Sequence, residues 1–134
     1  MVSQLERAWN DYLCGRRLET GDGCTVDLVE AARQYRRAAL RGLAEAQHAL
    51  AFLYATGQGV RRDDALSLRW FEAAARQGHV AAQHNLGVMF AEGRGTSPDE
   101  QTAVRWFYRA ALGGSAESRR WLDGRSGDRE AAER

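Results

Sequence analysis

The sequence predicts an all-α fold: an α/α solenoid of three 36-residue helix-turn-helix repeats followed by a C-terminal capping half-repeat. The main observation is that the chain matches itself, without insertion, when it is shifted by 36 residues. This shift superposes Leu50 on Leu86, Trp70 on Trp106 and Gly78 on Gly114, and a weaker copy lies upstream. Three copies at a fixed period are the mark of a stacked repeat protein.

Apolar spacing and helix-terminating residues predict where each helix lies. In the first repeat, apolar residues recur every three or four positions over residues 3 to about 19, which indicates one face of a helix. Glycines at 21 and 23 end it, and a second helix spans 27–41. The second repeat predicts helices at about 43–55 and 63–77. In the third, Ser97 as N-cap, Pro98 at the first helical position and Glu100 form a predicted capping box, and the helix runs to Leu112.

The domain prediction follows from the repeats. Residues 1–124 form a single solenoid domain, with repeats at about 10–45, 46–81 and 82–117. A capping helix at about 115–123 is expected to break at Asp123-Gly124, so that no further second helix forms. This half-repeat is expected to cover the exposed face of the third repeat, as terminal units of such arrays must. Residues 125–134 are charged and are predicted to be a disordered tail.

Composition restricts the function classes. The formal net charge of +1 provides no field that favours nucleic acid or an anionic membrane. No segment has the roughly 20 apolar residues of a membrane span, and the N-terminus lacks a signal-peptide pattern, so we expect a soluble cytoplasmic protein. All 19 basic residues are arginine, a composition that hints at a bacterial genome of high GC content.

The repeats closely resemble Sel-one-like repeats, which are relatives of the tetratricopeptide repeat. The resemblance covers residues 10 to 122 and is carried by AEAQHALAFLYATGQGVRRDDALSLRWFEAAARQG and AAQHNLGVMFAEGRGTSPDEQTAVRWFYRAALGG. The first repeat departs from the pattern: Leu18 replaces an aromatic residue, Gln34 replaces tryptophan, and Cys14-Gly15 replaces Leu-Gly. The resemblance implies a scaffold or adaptor that binds proteins or peptides on a curved surface. It implies no catalytic residue and no cofactor.

A partner is expected on the concave side, which the first helix of each repeat lines. If Ala46, Leu50 and Tyr54 pack inward, helical geometry turns a different stripe toward the groove. Its mixture of aromatic, apolar and charged groups is typical of a recognition surface. Phe52 is the sharpest candidate, with packing against the neighbouring repeat as the alternative. Asn85 could hold a peptide backbone through its amide. The predicted partner-binding residues are Tyr12, Arg16, His48, Phe52, His84, Asn85, Val88, Glu92 and Arg120.

Other residues are better explained by structure than by chemistry. The Gly-x-Gly sequences at 21–23, 57–59 and 93–95 lie between helices, so they predict turns rather than phosphate loops. His48 and His84 share a repeat position and should lie side by side, yet no further metal ligand recurs beside them. Trp70 and Trp106 are expected to pack between helices. Arginines of the second helices predict a solvated convex face, with an acidic partner or nucleic acid as the alternative.

Two readings of Cys14 and Cys24 stay open. Cys14 holds the position of Leu50, so both thiols are expected to act as small buried hydrophobic groups. The alternative is a bridge between them, since related secreted repeats can carry disulfides within a repeat.

Two functions are therefore weighed. The first is a non-enzymatic adaptor that captures a protein or peptide in the concave groove, as a monomer or weak homo-oligomer. The second is a structural unit that self-associates through its ends, with the divergent first repeat as the candidate interface.

Overall fold

The computed structural model describes the backbone of residues 1–133 and the side chains of residues 1–125. Within that part it contains helices and no strands, which confirms the predicted fold class. The helices are α1 (Gln4–Thr20), α2 (Leu28–Leu40), α3 (Ala44–Thr56), α4 (Asp64–Arg76), α5 (Val80–Glu92), α6 (Glu100–Leu112) and α7 (Ala116–Glu133). Each helix packs on the next one along the chain. Helices α1, α3, α5 and α7 are the first helices of successive repeats, and α2, α4 and α6 are the second.

Glycine ends the first helix of each complete repeat, as the sequence predicts. Gly21, Gly57 and Gly93 have φ angles of 77°, 70° and 71°, a left-handed conformation that favours glycine. The following helix begins after an aspartate whose carboxylate accepts the backbone N–H three residues later, at Asp27, Asp63 and Asp99. The turn geometry therefore repeats with the sequence period.

The predicted start of α6 is wrong. Asp99, not Ser97, is the N-cap: its carboxylate accepts the Thr102 N–H at 3.1 Å and the Thr102 hydroxyl at 2.7 Å. Ser97 and Pro98 lie in the preceding turn, where the Pro98 ring is close to Gly93. The aspartate prevails because it holds the capping position that Asp27 and Asp63 hold in the earlier repeats.

The core lies between repeats. One cluster joins Tyr35 and the alanines of α2 to Leu50 and Leu53 of α3, and the next joins Phe71 of α4 to Leu86. Close approach within a repeat needs a residue without a side chain. A Cβ on Gly15 would lie 2.7 Å from the Tyr35 ring.

Both ends of the array carry polar residues where interior repeats carry buried ones. Ala46, Leu50 and Leu53 of α3 are buried against the first repeat, and the positions they hold belong in α1 to Asn10, Cys14 and Arg17, all exposed. At the other end, Arg119 and Asp123 of α7 replace Gln83 and Gly87, the buried residues at these positions of α5. These positions are therefore exposed at both ends of the described chain.

The expected burial of the cysteines is wrong for the same reason. The position of Cys14 faces the preceding repeat, and in the described chain no helix covers that face of α1, so the thiol is exposed. Cys24 is exposed in the turn after α1, where its thiol lies 3.4 Å from the Arg17 carbonyl oxygen. Both thiols are free, so the alternative of a bridge between them is not realised either.

The predicted break at Asp123-Gly124 is also wrong, because α7 continues to Glu133. Gly124 holds the position of Val88, inside the helix, whereas the position of the helix-ending Gly93 belongs to Arg129. A single glycine inside a helix costs only about 1 kcal/mol, too little to end it. The segment 125–134, predicted as a disordered tail, is helical in the described backbone as far as Glu133, and Arg134 lies outside the described residues.

Candidate functional site

The first helices of the repeats form a groove of about 620 Å³ that spans three successive helices. Five of the nine predicted partner-binding residues line it: His48 and Phe52 from α3, His84 and Asn85 from α5, and Arg120 from α7. The other lining residues are Val80, Ala81, Ser115, Ala116 and Glu117.

The remaining predicted residues lie outside this groove. Tyr12 is half-buried against the core cluster of the first repeat, where its ring contacts those of Trp9 and Tyr35. Arg16 is exposed on α1 at the position that Phe52 holds on α3. Val88 is half-buried, and Glu92 is exposed as the last residue of α5.

A polar contact between α3 and α5 places the His48 ring at the groove wall. The Asn85 side-chain amide lies 3.1 Å from His48 Nε2 and donates to it. The ring also stacks on His79, with centroids 4.7 Å apart and planes at 28°, and contacts Phe71 at 5.6 Å. Burial, with a smaller contribution from His79, lowers the pKa of His48 to about 4. His48 is therefore a neutral imidazole at neutral pH.

His79 is the partner that sequence reasoning missed. It is the N-cap of α5, and its Nδ1 accepts the Ala82 N–H at 3.1 Å. Burial lowers its pKa as well, against an opposing effect of Glu45. Serine holds the same N-cap position before α7, where the Ser115 hydroxyl accepts the Ser118 N–H. The signal in the sequence was therefore the 36-residue spacing of His79 and Ser115, two side chains that can cap the helix that follows each of them.

His84, one repeat later, also contacts the next helix, but through different partners. Its Nδ1 lies 2.7 Å from the Ser118 hydroxyl and its Nε2 lies 3.4 Å from a Glu117 carboxylate oxygen. Burial lowers its pKa, an effect that Glu117 opposes and Arg120 reinforces. His48 and His84 line one groove as expected, but each ring bonds to the next helix. Such contacts fix both rings as part of the groove wall.

The groove also has an exposed apolar group and an ionic rim. Phe52 is 46% exposed, a large fraction for an aromatic side chain in a concavity. Glu117 and Arg120 are exposed at the α7 end. The arrangement can therefore contact an apolar side chain, hydrogen-bond a polar backbone and pair with a charge.

Two exposed apolar residues of α1 extend the same positional pattern. The groove residues Ala81 and Asn85 hold the positions that Trp9 and Leu13 hold in the first repeat. Leu13 is 50% exposed and Trp9 is 37% exposed. The prediction omitted both, although projecting the position of Asn85 back by 72 residues identifies Leu13.

A larger groove, of about 710 Å³, lies between α6 and α7 and includes Val104, Tyr108 and Leu122. The same positions 72 residues earlier are Ala32 and Arg36 of α2 and Leu50 of α3, and they line a space of only about 160 Å³ together with Tyr54 and Val60. The groove between α6 and α7 is larger than the space beside α3 because α7 continues as a helix. After α3, by contrast, the chain turns back over the preceding repeat. Its size follows from the end of the array and needs no ligand to explain it.

The other candidates are largely structural. Trp70 is half-buried and packs against both core clusters, as the packing prediction requires. On the second helices, Arg33 pairs with Glu30 and Arg76 pairs with Glu72. Within the described residues, no three His, Cys, Asp or Glu side chains converge to hold a metal ion. None of the described helices is long and apolar enough to cross a bilayer.

Comparison with known proteins places the repeats in a family. The Sel1 repeat model matches residues 12–43, 44–79 and 80–115. A Sel1 repeat protein from Oxalobacter formigenes is 36% identical, with a TM-score of 0.81 over 87% of this chain and 88% of that one. A protective antigen of uropathogenic Escherichia coli with an SLR fold is 37% identical, with a TM-score of 0.82 over 83% of this chain. The chain spans only 24% of that antigen.

A more distant structure shares the fold alone. Helicobacter pylori cysteine-rich protein B is 18% identical, with a TM-score of 0.71 over 84% of this chain and 83% of that one. No curated protein sequence matches significantly. Three matched repeats, over more than half of the residues, confirm the resemblance seen in the sequence. The chain belongs to the Sel1 repeat family.

Proposed function

We propose that this protein is a non-enzymatic scaffold that binds a segment of a partner protein in the groove lined by α3, α5 and α7. Sel1 repeats are generally protein-interaction scaffolds. The observation that carries the finer proposal is Phe52, which is 46% exposed and lines a groove of about 620 Å³. An exposed aromatic group in a preformed concavity is the usual anchor of a recognition surface.

The polar groups of the groove are suited to a peptide backbone. Because burial lowers the pKa of both His48 and His84, these two rings offer hydrogen-bonding groups rather than positive charge at neutral pH. The amide of Asn85 donates one hydrogen bond to His48 and keeps its carbonyl oxygen and a second N–H for a ligand. Because neighbouring helices already hold these side chains, ordering them on binding costs little entropy.

The polar ends of the array support this function over assembly through the ends. A stacking interface would require an apolar face like that of Leu50 and Leu53. Instead, Asn10 and Arg17 flank the exposed Leu13 on this face of α1, and Arg119 and Asp123 are exposed at the other end. The exposed free thiols of Cys14 and Cys24 fit a reducing compartment, so we also propose a cytoplasmic location.

The test is to select binders from a random peptide library displayed on phage and to measure the affinity of a selected peptide by calorimetry. We expect Phe52→Ala to weaken binding at least tenfold. The matched control is Tyr108→Ala, which removes an exposed aromatic group from α6 and should change affinity less than twofold. Circular dichroism first establishes that both variants stay helical.

Two outcomes would contradict the proposal. Equal affinity of the peptide for Phe52→Ala and for the unchanged protein would exclude this groove as the site. Concentration-dependent oligomers that persist in a Phe52→Ala, His84→Ala double variant, with no peptide selected, would favour self-association instead.

A further inference from the structure

A second depression lies on the opposite set of helices, between the C-terminal end of α4 and the face of α6. Its volume is about 370 Å³, and its lining is Arg76, Thr102, Arg105, Trp106 and Arg109. Three of the five residues are arginines, and none carries a carboxylate. It shares no residue with the groove of α3, α5 and α7.

The positive charge here is incompletely neutralised. Arg76 pairs with Glu72. The Arg109 guanidinium lies over the Trp106 ring, 4.8 Å from its centroid, so it is held in place by an aromatic face. Among the side chains of residues 1–125, no carboxylate oxygen lies within 4.0 Å of Arg105 or Arg109.

The first repeat provides the contrast. Arg33 and Arg37 hold the positions of Arg105 and Arg109, 72 residues earlier. There Arg33 lies 3.3 Å from a Glu30 carboxylate oxygen, and Arg37 lies 4.0 Å from Asp11. Among the described side chains, the same helix positions thus carry paired arginines in the first repeat and arginines without a carboxylate partner in the third.

We propose that the cluster of Arg76, Arg105 and Arg109 binds an acidic segment of a partner protein, through its aspartate or glutamate side chains. A guanidinium fork binds a carboxylate through two parallel hydrogen bonds, and an arginine already held on a tryptophan loses little freedom in doing so. The depression is large enough for one or two carboxylate side chains.

Acidic protein fits this surface better than nucleic acid does. A single strand needs a basic path interleaved with several aromatic faces, and this site has one, Trp106. The formal net charge of only +1 gives little general attraction for a long polyanion. A compact site with three guanidinium groups instead favours a few closely spaced carboxylates.

The experiment measures binding of a capped synthetic peptide with six consecutive glutamates by calorimetry, at low and physiological salt. We expect the double variant Arg105→Gln, Arg109→Gln to bind at least tenfold more weakly. The matched control, Arg33→Gln, Arg37→Gln, removes the same charge from the same positions of the first repeat and should weaken binding less than twofold. Phe52→Ala should leave this binding unchanged, which separates the proposal from the function of the other groove.

Three results would overturn the proposal. The first is no binding of the peptide by the unchanged protein, and the second is an equal loss in the two double variants, which would mean non-specific attraction. The third is an oligothymidylate that binds as tightly and with the same sensitivity to Arg105 and Arg109, which would assign the site to nucleic acid. Arg105→Lys, Arg109→Lys keeps the charge but removes the fork, and it should bind at least threefold more weakly than the unchanged protein.

Discussion

Acid should destabilise this protein through His48 before its carboxylates are protonated. The half-buried ring lies between Asn85, His79 and Phe71, and its pKa falls from the ordinary value of about 6.5 to about 4 in the folded chain. The unfolded chain therefore binds a proton at His48 at a higher pH than the folded chain does. Stability from this group is fully present above about pH 6.5 and is lost as the pH falls toward 4.

The magnitude follows from the pKa difference. At 1.36 kcal/mol per unit, a fall of roughly 2.5 units corresponds to about 3 kcal/mol in total, of which about 2 kcal/mol is lost by pH 5. His79, stacked on His48, has a lowered pKa too, so protonation there adds a loss of the same sign. Glu45 opposes that shift.

The assay is urea unfolding, followed by circular dichroism, at intervals from pH 7.5 to 5. The free energy of unfolding of the unchanged protein should fall over this range by at least the His48 contribution. The asparagine of His48→Asn does not titrate in this pH range, and its side-chain oxygen can accept a hydrogen bond from Asn85. The free energy of unfolding of this variant should therefore fall by about 2 kcal/mol less than that of the unchanged protein between pH 7.5 and 5. His84→Asn is the comparison: burial lowers the pKa of this ring too, so the variant should change the pH dependence in the same direction. Identical pH dependence in the unchanged protein and His48→Asn would refute the reasoning.

Two further predictions concern packing. Leu50→Ala should lower the free energy of unfolding by about 2–5 kcal/mol, because Leu50 is only 1% exposed, whereas Leu40→Ala, at an exposed site, should change it by less than about 0.5 kcal/mol. Gly87→Ala should destabilise the protein by about 1–3 kcal/mol, because the new Cβ would lie 2.9 Å from the Phe107 ring. Gly124→Ala should stabilise it by up to about 1 kcal/mol, because the new Cβ would have no atom within 4 Å. Urea unfolding measures all four, and a Gly87→Ala variant as stable as the unchanged protein would contradict the packing.

Much of the fold could be predicted from the sequence because the signals are local and repeat. The 36-residue period, the helix-ending glycines at 21, 57 and 93 and the apolar spacing determined seven helices and their order. These signals depend on backbone conformation and helical periodicity, which neighbouring residues control. Local signals also misled: Ser97-Pro98 imitated a helix start that Asp99 provides, and Gly124 imitated a helix end.

What lies at each helix surface was decided by tertiary structure. Cys14 holds the position of Leu50 yet is exposed, because in the described chain nothing packs on that face of α1. The stacking of His79 on His48 joins residues 31 positions apart through the meeting of α3 with the turn before α5. Among the described side chains, no carboxylate pairs with Arg105 as Glu30 pairs with Arg33, although the two arginines share a repeat position. Burial and charge pairing depend on which neighbours pack nearby, and a repeating sequence fixes the positions of residues without fixing those neighbours.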